Sequence, residues 1–478
     1  MVRKAKILAT IGPTSSNPQM LEAMIVAGLN AVRINMSHGE YETHAESIRL
    51  AREIAARHNR PLAVLVDLCG PKIRTGKLVE GKSVSLKAGQ LFTITTRDLE
   101  GNAEIVSTSY KRMAQDVPPG ARLLIDDGAI ELHVESVTET DVVCRVANDG
   151  ELSERKGINF PGIKLPIPSL TEKDRMDLRW AVAQDADYIA LSFVRDAADC
   201  EEAKQLIAEA GGKQPLVVKI EKAEAIENLD AIIAAANGVM VARGDLGVET
   251  SVEQVPVYQK LIIQKANQMR KFVITATQML QSMIESPRPT RAEASDVANA
   301  VWDGTDCLML SGETAMGKYP LASVATMARI IESAENARAG SSNITSHIKD
   351  RSHHVSRALC EAAAACAEEM ETATTAVFTE SGKMARRLSS LRPPQRIVAL
   401  THTEKVRNLL AIVWGVEALI TPPCDNTEDM LHHGEETLFK ADVVKEGEIV
   451  VFMAGRLSGL GISSSVTLCR MGKPLEAR

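Results

Sequence analysis

The feature that most constrains the fold is a series of short apolar runs that alternate with stretches of helical periodicity. Such runs begin near residues 6, 31, 62, 188, 216, 239, 272 and 307. Because short apolar, β-branched runs separated by helix-length segments are typical of buried parallel strands, we interpret each as one strand–helix unit. Eight units predict an α/β fold, a (β/α)8 TIM barrel, with the active site at the carboxyl ends of its strands.

The series is interrupted once and ends before the chain does. From Gly70 to about Pro166 the pattern changes to alternating apolar and polar residues broken by Asp-Gly and Pro-Gly, which predicts a small inserted β-barrel domain. The polar stretch Ala339–Asn343 predicts a linker to a C-terminal α/β domain, with helices near 353–370 and 382–390. The predicted boundaries are 1–68 with 167–340 for the barrel, 69–166 for the inserted lid, and 341–478 for the C-terminal domain.

Composition excludes several classes of function. Lys and Arg number 55 against 62 Asp and Glu, so the net charge is −7, and aromatic residues make up only 3%. That balance gives no global attraction to nucleic acid or to anionic membranes. The eight cysteines contain no Cys-x-x-Cys pair, and no window approaches transmembrane length. We therefore expect a cytoplasmic protein with no nucleic-acid or membrane partner.

Charged residues collect at the ends of two neighbouring predicted strands. Lys219 and Glu221 are two apart, so on a strand they point to one face. Asp245 follows the next strand in a predicted turn between Gly244 and Gly247. Two carboxylates at one barrel mouth suit Mg²⁺ or Mn²⁺ and leave positions open for a substrate phosphate. The plain alternative is an ion pair between Lys219 and Glu221 at the barrel rim.

The other strand ends add phosphate-binding and hydroxyl groups to the same predicted mouth. Arg33 and Arg74 are suited to bidentate contacts with phosphate, although a surface salt bridge is the alternative for either one alone. Thr277 taken alone is a capping hydroxyl by default. The remaining groups at strand ends are Thr10, Asn35, Ser37, Asp67 and Ser311.

These motifs, in this order, resemble those of the pyruvate kinases over nearly the whole chain. The stretches that carry the resemblance are Ala9–Pro13, Val32–Gly39, Gly70–Gly76, Lys219–Glu221, Met240–Val248, Ala276–Met279, Pro287–Glu293 and Met309–Thr314. The resemblance implies transfer of the phosphoryl group of phosphoenolpyruvate to ADP, and then protonation of the enolpyruvate.

The resemblance also implies roles for individual residues. Glu221 and Asp245 would hold Mg²⁺ or Mn²⁺, Lys219 would stabilise the transferring phosphoryl group, and Thr277 would belong to the proton-delivery network. The substrate-binding set would be Arg33, Lys219, Ala242, Arg243, Gly244, Asp245, Thr277 and Ser311, with the turn at Ala242–Asp245 contributing backbone amides. The nucleotide-binding set would be Thr10, Pro13, Asn35, His38 and Arg74.

A monovalent-cation site is in question because two positions depart from the family pattern. Members that need potassium hold it with groups matching Asn35, Ser37, Asp67 and the carbonyl of Leu68. Here Lys72 replaces a common glutamate and Leu68 replaces a threonine. We expect the Lys72 ammonium to disfavour a second cation, so that K⁺ is not required. The alternative is that Lys72 points into solvent or pairs with a carboxylate of the β domain.

The C-terminal domain resembles the regulatory domain of the family. Thr379, Ser381, Gly382 and Lys383 lie between a predicted strand and a predicted helix start, a position that favours phosphate binding. A second loop carries Gly461 and Ser463 but lacks the tryptophan and arginine of members that grip fructose-1,6-bisphosphate. We expect a phosphorylated sugar or nucleotide effector, more readily a monophosphate, and from the family a homotetramer. The alternative for the first loop is a plain helix cap.

Two other functions fit the same barrel. One is another metal-dependent phosphoenolpyruvate or enolate enzyme, such as an aldolase or mutase, which would not need the lid. The other is a catalytically inactive sensor of sugar phosphates, although the retained Lys219, Glu221, Asp245 and Thr277 argue against it.

Overall fold

A closed barrel of eight parallel strands forms the centre of the molecule. The computed structural model describes residues 3–337, 354–424, 426–454 and 465–472. The barrel strands are Lys6–Thr10, Ala31–Asn35, Ala63–Asp67, Tyr188–Leu191, Leu216–Ile220, Gly238–Ala242, Phe272–Ala276 and Cys307–Leu310. They follow one another around the barrel in chain order, which confirms the predicted (β/α)8 fold.

Helices cover the outside of the barrel and bury their apolar faces against it. Several begin with side-chain caps: Thr171 and Asp174 form a capping box, and so do Thr290 and Glu293. The helices are Pro18–Val26, Tyr41–Arg57, Glu172–Ala183, Ala197–Glu209, Ala223–Glu227, Leu229–Ala235, Arg243–Glu249, Val255–Gln268, Arg291–Asp303, Gly312–Ala315 and Pro320–Ala337.

The insertion after the third barrel strand is a β domain with its own apolar core. Its strands are Val84–Leu86, Leu91–Thr95, Ile105–Ser107, Arg122–Ile125, Ile130–Val137, Asp141–Val146, Gly150–Leu152 and Ile158–Asn159, with one helical turn at Met113–Asp116. Six of the strands form one sheet. Arg74 and Thr75 bridge to Gly157 and Thr108, so the entering segment links the two edges of that sheet. We call residues 69–166 the lid; these boundaries stay a prediction.

The C-terminal domain is a five-stranded sheet between helices. The strands, in sheet order, are Val416–Ile420, Arg396–Thr401, Thr374–Phe378, Ile449–Ala454 and the antiparallel Ser465–Arg470. The helices are His354–Glu369, Lys383–Ser390, Glu404–Leu409 and Thr427–Lys440. The predicted linker and the predicted effector residues Gly461 and Ser463 lie outside the described residues.

The base of the barrel, opposite the carboxyl ends of its strands, is closed by the C-terminal domain. Ala411 and Ile412 pack into the same apolar cluster as Tyr188 and Phe272, whose rings meet edge to face at 5.3 Å. The Tyr188 hydroxyl donates to the carbonyl of Leu409. Among the described residues, side chains therefore fill the base, and the strand ends available to a ligand are those at the opposite end of the barrel.

A buried ion pair ties this base to the C-terminal domain. Arg392 and Asp306 are both 6% exposed and lie 3.0 Å apart, and the Arg392 guanidinium lies 4.7 Å from the Trp414 ring centre. Arg392 also donates to the carbonyl of Gly304 at 2.8 Å. Burial raises the pKa of the Asp306 carboxyl, and Arg392 opposes that rise.

We predict that Arg392→Met lowers the free energy of unfolding by about 3–5 kcal/mol, because it leaves the Asp306 charge buried without a partner. Urea unfolding at pH 7 measures the loss. A carboxyl whose pKa is raised by folding costs stability above its unfolded pKa, so the deficit should shrink as the pH falls below the folded pKa toward the unfolded pKa. The double variant Asp306→Asn/Arg392→Met should recover part of the loss. A single variant as stable as the wild type would contradict this account.

Candidate active site

Five of the eight barrel strands bring the predicted residues together at the open end of the barrel. In the strand register Thr10 lies beside Arg33, and Asn35 beside Asp67. Lys219 lies beside Met240, on the strand that precedes Asp245. The carboxyl ends of parallel strands thus meet at one mouth, as predicted for this fold.

The Asp67 carboxylate sits between two cations. Asp67 is 1% exposed, and its Oδ2 accepts a hydrogen bond of 2.7 Å from Nε of Arg33 and lies 2.6 Å from Nη2. Its other oxygen, Oδ1, lies 3.5 Å from the Lys219 ammonium. Arg33 also donates to the Thr10 hydroxyl at 3.1 Å. This buried carboxylate therefore orients both positive groups at the mouth.

Lys219 and Glu221 form the ion pair that the sequence analysis gave as the alternative to a metal site. The Lys219 ammonium lies 2.8 Å from Oε1 of Glu221 and donates to the Ser192 hydroxyl at 2.7 Å. Burial alone would lower the pKa of the Lys219 ammonium, but Asp67 and Glu221 outweigh it and raise that pKa above its ordinary value. Lys219 is therefore a fixed positive charge at neutral pH.

Glu221 is buried between the Lys219 ammonium and the Phe193 amide. Its side chain is fully buried, and Oε2 accepts a hydrogen bond from the Phe193 amide at 2.7 Å. Oε1, although close to Lys219, accepts no hydrogen bond of suitable geometry. Burial raises the pKa of the Glu221 carboxyl, Lys219 opposes the rise, and the nearby Asp245 adds to it. A second cation beside Glu221 and Asp245 would offset the burial of the Glu221 charge and its repulsion by Asp245.

The prediction that Asp245 lies in a turn is wrong in its local structure. Arg243–Glu249 is a helix, and Asp245 lies in its first turn. A carboxylate there is favoured by the positive end of the helix dipole. The two glycines suggested a turn, but each is tolerated in a helix at a modest cost in stability. We call this the Asp245 helix.

The Arg243 side chain is directed away from a substrate. Its guanidinium donates to both carboxylate oxygens of Asp296 at 2.8 Å and to the carbonyl of Thr277 at 2.6 Å. Only the backbone of Arg243, following the buried Ala242, remains available to a ligand at the start of the Asp245 helix. Of the Arg243 groups predicted to bind substrate, the backbone amide is thus the one that can do so.

Thr277 has a strained backbone at the end of its strand. Its φ is 68° and that of Gln278 is 53°, the left-handed region that branched residues rarely adopt. The Thr277 hydroxyl donates to the carbonyl of Ala276 at 2.7 Å and accepts from the Gly244 amide at 2.8 Å. Such strain clusters at functional sites, where the surrounding structure enforces it. It holds the hydroxyl against the Asp245 helix.

Three other predicted residues occupy the same rim. Ser311 begins the short helix Gly312–Ala315, and its Oγ is buried without a hydrogen-bond partner. The Thr10 hydroxyl donates to the carbonyl of Leu310 at 3.1 Å. Pro13 is exposed at the surface beside them. Ser311 is therefore the group here whose hydrogen-bonding capacity is unused.

The nucleotide side of the predicted site is crowded with positive charge. Burial lowers the pKa of His38, and the charges of Arg74, Lys72 and Arg33 lower it further. The charges of the lid residues Arg74 and Lys72 therefore act on His38 of the barrel. The Arg74 guanidinium donates to the carbonyl of Arg155 at 3.0 Å, within the lid.

Groups predicted to hold a monovalent cation have partners within the protein. Oδ1 of Asn35 accepts from the Ser37 amide at 3.2 Å. The carbonyl of Leu68 accepts from the Ser192 hydroxyl at 2.7 Å. Oδ2 of Asp67 accepts from Arg33, whereas its buried Oδ1 accepts no hydrogen bond and lies 3.5 Å from the Lys219 ammonium.

Sequence reasoning missed Ser192 and Phe193. Ser192 is 1% exposed and links the Lys219 ammonium to the Leu68 carbonyl. Phe193 has a φ of 55° and gives its amide to Glu221. Their position directly after the strand Tyr188–Leu191 is the signal in the sequence, because site residues of this fold lie at the carboxyl ends of the strands.

The predicted effector loop lies at the start of the helix Lys383–Ser390. Gly382 has a φ of 73°, and its amide donates to the Thr379 hydroxyl at 2.9 Å. Thr379 is buried, whereas Ser381 and Lys383 are exposed. The loop thus places a hydroxyl and an ammonium in solvent at a helix N-terminus.

Comparison with known proteins decides between the alternatives left open by the sequence. Family models described as "Pyruvate kinase, barrel domain" and "Pyruvate kinase, alpha/beta domain" match residues 2–324 and 357–467. The chain belongs to the pyruvate kinase family. Pyruvate kinase 2 of Synechocystis sp. is 43% identical over 100% of this chain and 80% of its own length.

Other relatives agree with this assignment. The pyruvate kinase of Mycobacterium tuberculosis is 43% identical over 99% of both chains. A crystal structure of a pyruvate kinase from Cryptosporidium parvum covers 98% of this chain and 96% of its own, with a TM-score of 0.90 and 36% identity. The prediction of a pyruvate kinase that transfers the phosphoryl group of phosphoenolpyruvate to ADP in glycolysis is confirmed. Pyruvate kinases generally use a divalent metal ion.

Among the described residues, no helix is both long and apolar enough to cross a membrane.

We predict that Lys219→Met lowers turnover by about 10²–10³-fold, because it removes a fixed positive charge from the place where phosphoryl charge develops. Binding of phosphoenolpyruvate should remain mostly intact, and the variant should still protonate added enolpyruvate. A coupled assay of ADP-dependent pyruvate formation measures the loss. Lys213→Met, an exposed lysine before the same strand, is the control. A drop of less than about tenfold would contradict the role.

Proposed function

We propose that Glu221 and Asp245 hold a divalent ion, Mg²⁺ or Mn²⁺, at the barrel mouth during phosphoryl transfer. The observation that supports this is the fully buried Glu221 carboxylate, which has one ammonium, that of Lys219, at 2.8 Å and a second carboxylate, that of Asp245, nearby. Buried charged groups are normally paired or bound to a metal. When bound, the ion would neutralise developing negative charge on phosphate and enolate oxygens.

The donor set fits a substrate-completed metal site. No group of three His, Cys, Asp or Glu side chains suited to a metal occurs within residues 3–337, 354–424, 426–454 and 465–472. Two carboxylates therefore have to be supplemented by oxygens of substrate and water. Mg²⁺ is commonly bound in this way, through one or two carboxylates and substrate phosphates.

The remaining mouth residues position the substrate. Arg33 would hold the phosphate with a guanidinium that Asp67 keeps oriented, and Lys219 would stabilise the phosphoryl group as it moves. The amides of Ala242, Arg243 and Gly244 would bind the substrate carboxylate, and the free Ser311 hydroxyl would add a contact. Phosphoryl transfer needs this kind of positioning and charge compensation more than covalent chemistry.

Thr277 would take part in protonating the enolate. Its hydroxyl donates to the Ala276 carbonyl, and the Gly244 amide fixes its position. We assign it to the proton-delivery network rather than to a lone acid. The nucleotide would lie on the side of Thr10, Pro13, Asn35, His38 and Arg74, under the lid.

Asp245→Asn tests the metal assignment. We expect kcat to fall by about 10²-fold or more at ordinary Mg²⁺, with partial recovery as Mg²⁺ is raised, because one charged metal ligand becomes neutral. Glu253→Gln, an exposed carboxylate just beyond the Asp245 helix, should behave as the wild type. Activity of Asp245→Asn equal to the wild type at every Mg²⁺ concentration would refute the site.

We also propose that the enzyme does not need K⁺. The charge of Lys72 acts on His38 together with those of Arg74 and Arg33, which supports its facing the cleft. Like charges a few ångströms apart repel by about 4 kcal/mol at an effective dielectric of 20, so another cation there is disfavoured.

Lys72→Glu should convert the enzyme to potassium dependence. In tetramethylammonium buffer we expect lower activity than in the wild type, with at least partial recovery when K⁺ is added. Lys77→Glu, an exposed lid lysine, controls for the change in net charge. The proposal fails if K⁺ strongly activates the wild type or if Lys72→Glu is indifferent to the cation.

Regulation by a phosphorylated sugar or nucleotide monophosphate is proposed for the C-terminal domain. The exposed Ser381 and Lys383 at the N-terminus of the helix Lys383–Ser390 support an anion site, since free amides and the helix dipole favour phosphate there. The second predicted part of this site, Gly461 and Ser463, lies outside the described residues.

Ser381→Glu should abolish activation and leave basal activity unchanged, because the added carboxylate repels phosphate. Thr427→Glu adds the same charge at the start of another helix of that domain and should leave activation intact. Activation of both variants is measured as the rate of pyruvate formation in a screen of phosphorylated effectors. Activation only by a bisphosphate would refute the monophosphate part.

A cytoplasmic location, a homotetramer and the domain boundaries 1–68 with 167–340, 69–166 and 341–478 complete the proposal. The sequence, whose eight cysteines include no Cys-x-x-Cys pair, supports a reducing compartment. Light scattering of the purified chain tests the tetramer.

A further inference from the structure

One carboxylate at the base of the lid bridges the lid and the barrel. Glu249, the last residue of the Asp245 helix, is 5% exposed. Its Oε1 accepts a hydrogen bond of 2.8 Å from Nδ2 of Asn159, in the strand Ile158–Asn159 by which the lid returns to the barrel. The same oxygen lies 2.9 Å from the ammonium of Lys222. We call Asn159, Glu249 and Lys222 the latch.

The barrel side of the latch is continuous with the proposed metal ligands. Lys222 directly follows Glu221 in the chain, and its ammonium lies 5.7 Å from the centre of the Phe193 ring. Phe193 in turn gives its amide to Glu221. On the Asp245 helix, Glu249 follows Asp245 by four residues, so both carboxylates lie on one face of that helix.

Both segments that join the lid to the barrel contact Phe193. The Ser169 hydroxyl, after the exit segment, donates to the Phe193 carbonyl at 3.1 Å. At the entry segment Gly70 has a φ of 70°, and a Cβ there would lie 2.5 Å from the Phe193 ring. Phe193, which donates its amide to Glu221, therefore contacts both of the segments that join the lid to the barrel.

We propose that Glu249 is a positioning residue whose latch couples lid closure to the placement of Glu221 and Asp245. The coupling part rests on the proposed metal site. Asn159 is the only latch member from the lid, and all three groups are largely buried, at 9% exposure for Asn159 and 19% and 3% for the side chains of Lys222 and Glu249. Moving the lid away breaks a charge-assisted hydrogen bond in a low-dielectric site, where such bonds are strong.

A second, exposed contact between lid and barrel serves as the control for the latch. Lys164 lies 3.6 Å from Glu227, but these side chains are 74% and 67% exposed. Exposed pairs of this kind contribute little. Glu227→Gln therefore removes a lid–barrel charge pair without touching the latch.

Exchange of the two latch side chains is the decisive test. Asn159→Asp sets a second carboxylate against Glu249, whereas Asn159→Asp/Glu249→Gln restores one amide and one carboxylate with their places exchanged. Amide hydrogen exchange at Gly70, whose amide donates to Asp174 of the barrel, reads lid opening in metal-free, substrate-free protein. We expect about tenfold or faster exchange in the single variant and a return toward the wild-type rate in the double variant. Glu227→Gln should leave exchange unchanged.

The coupling is read separately as Mn²⁺ affinity, measured by electron paramagnetic resonance. Asn159→Asp should weaken Mn²⁺ binding by about tenfold, corresponding to about 1.4 kcal/mol, and the double variant should restore it. Exchange at the wild-type rate in Asn159→Asp, or no recovery in the double variant, overturns the latch. If amide exchange changes in the variants as expected but their Mn²⁺ affinity does not change, the coupling is refuted. Unchanged Mn²⁺ affinity in Asp245→Asn would instead refute the metal site and leave the latch result standing.

Asn159→Ala covers the case in which Asn159→Asp does not fold. It removes the lid donor without adding charge, so exchange should quicken in the same direction by a smaller factor. If Asn159→Ala exchanges at the wild-type rate, the latch is refuted. The midpoint of thermal unfolding, measured for every variant, separates lid opening from global loss of stability.

Discussion

The active site depends on one buried carboxylate, Asp67, placed between Arg33 and Lys219. Two cations and the acids Glu221 and Asp245 would otherwise have to be desolvated without a fixed arrangement, which is costly. Asp67 satisfies Arg33 directly and helps to keep Lys219 charged. With Asp67, Glu221 and Asp245 against Arg33 and Lys219, the mouth carries one more negative than positive charge. That imbalance supports the proposed divalent ion at this mouth.

The barrel supplies the geometry that this cluster requires. Adjacent parallel strands set Asn35 beside Asp67 and Lys219 beside Met240, so side chains distant in sequence reach one mouth. The C-terminal domain fills the opposite end with Ala411 and Ile412. Ligands can therefore enter only from the side that the lid covers, where closure would exclude water and strengthen every charge interaction.

The sequence predicted the barrel and its mouth because their signals are local. Lys219 and Glu221 are two apart on a strand, and their shared direction follows from strand geometry alone. The turn predicted at Asp245 was wrong because glycines favour turns, whereas tertiary packing keeps Arg243–Glu249 helical. The Arg243 side chain could not be placed, since its partner Asp296 lies on a distant helix. The strand Val416–Ile420 was missed because its Glu417 interrupts the apolar run, and only the structure shows Arg396 pairing with that charge.

Glu221 carries the central claim, because the proposed metal site needs its buried carboxylate, which the Lys219 ammonium already approaches to 2.8 Å. The most direct test is a titration with Mn²⁺ followed by electron paramagnetic resonance, which counts bound ions without relying on turnover. The account predicts that Glu221→Gln weakens binding by at least about tenfold relative to the wild type, whereas Glu224→Gln does not. Mn²⁺ binding of Glu221→Gln with wild-type affinity would contradict it.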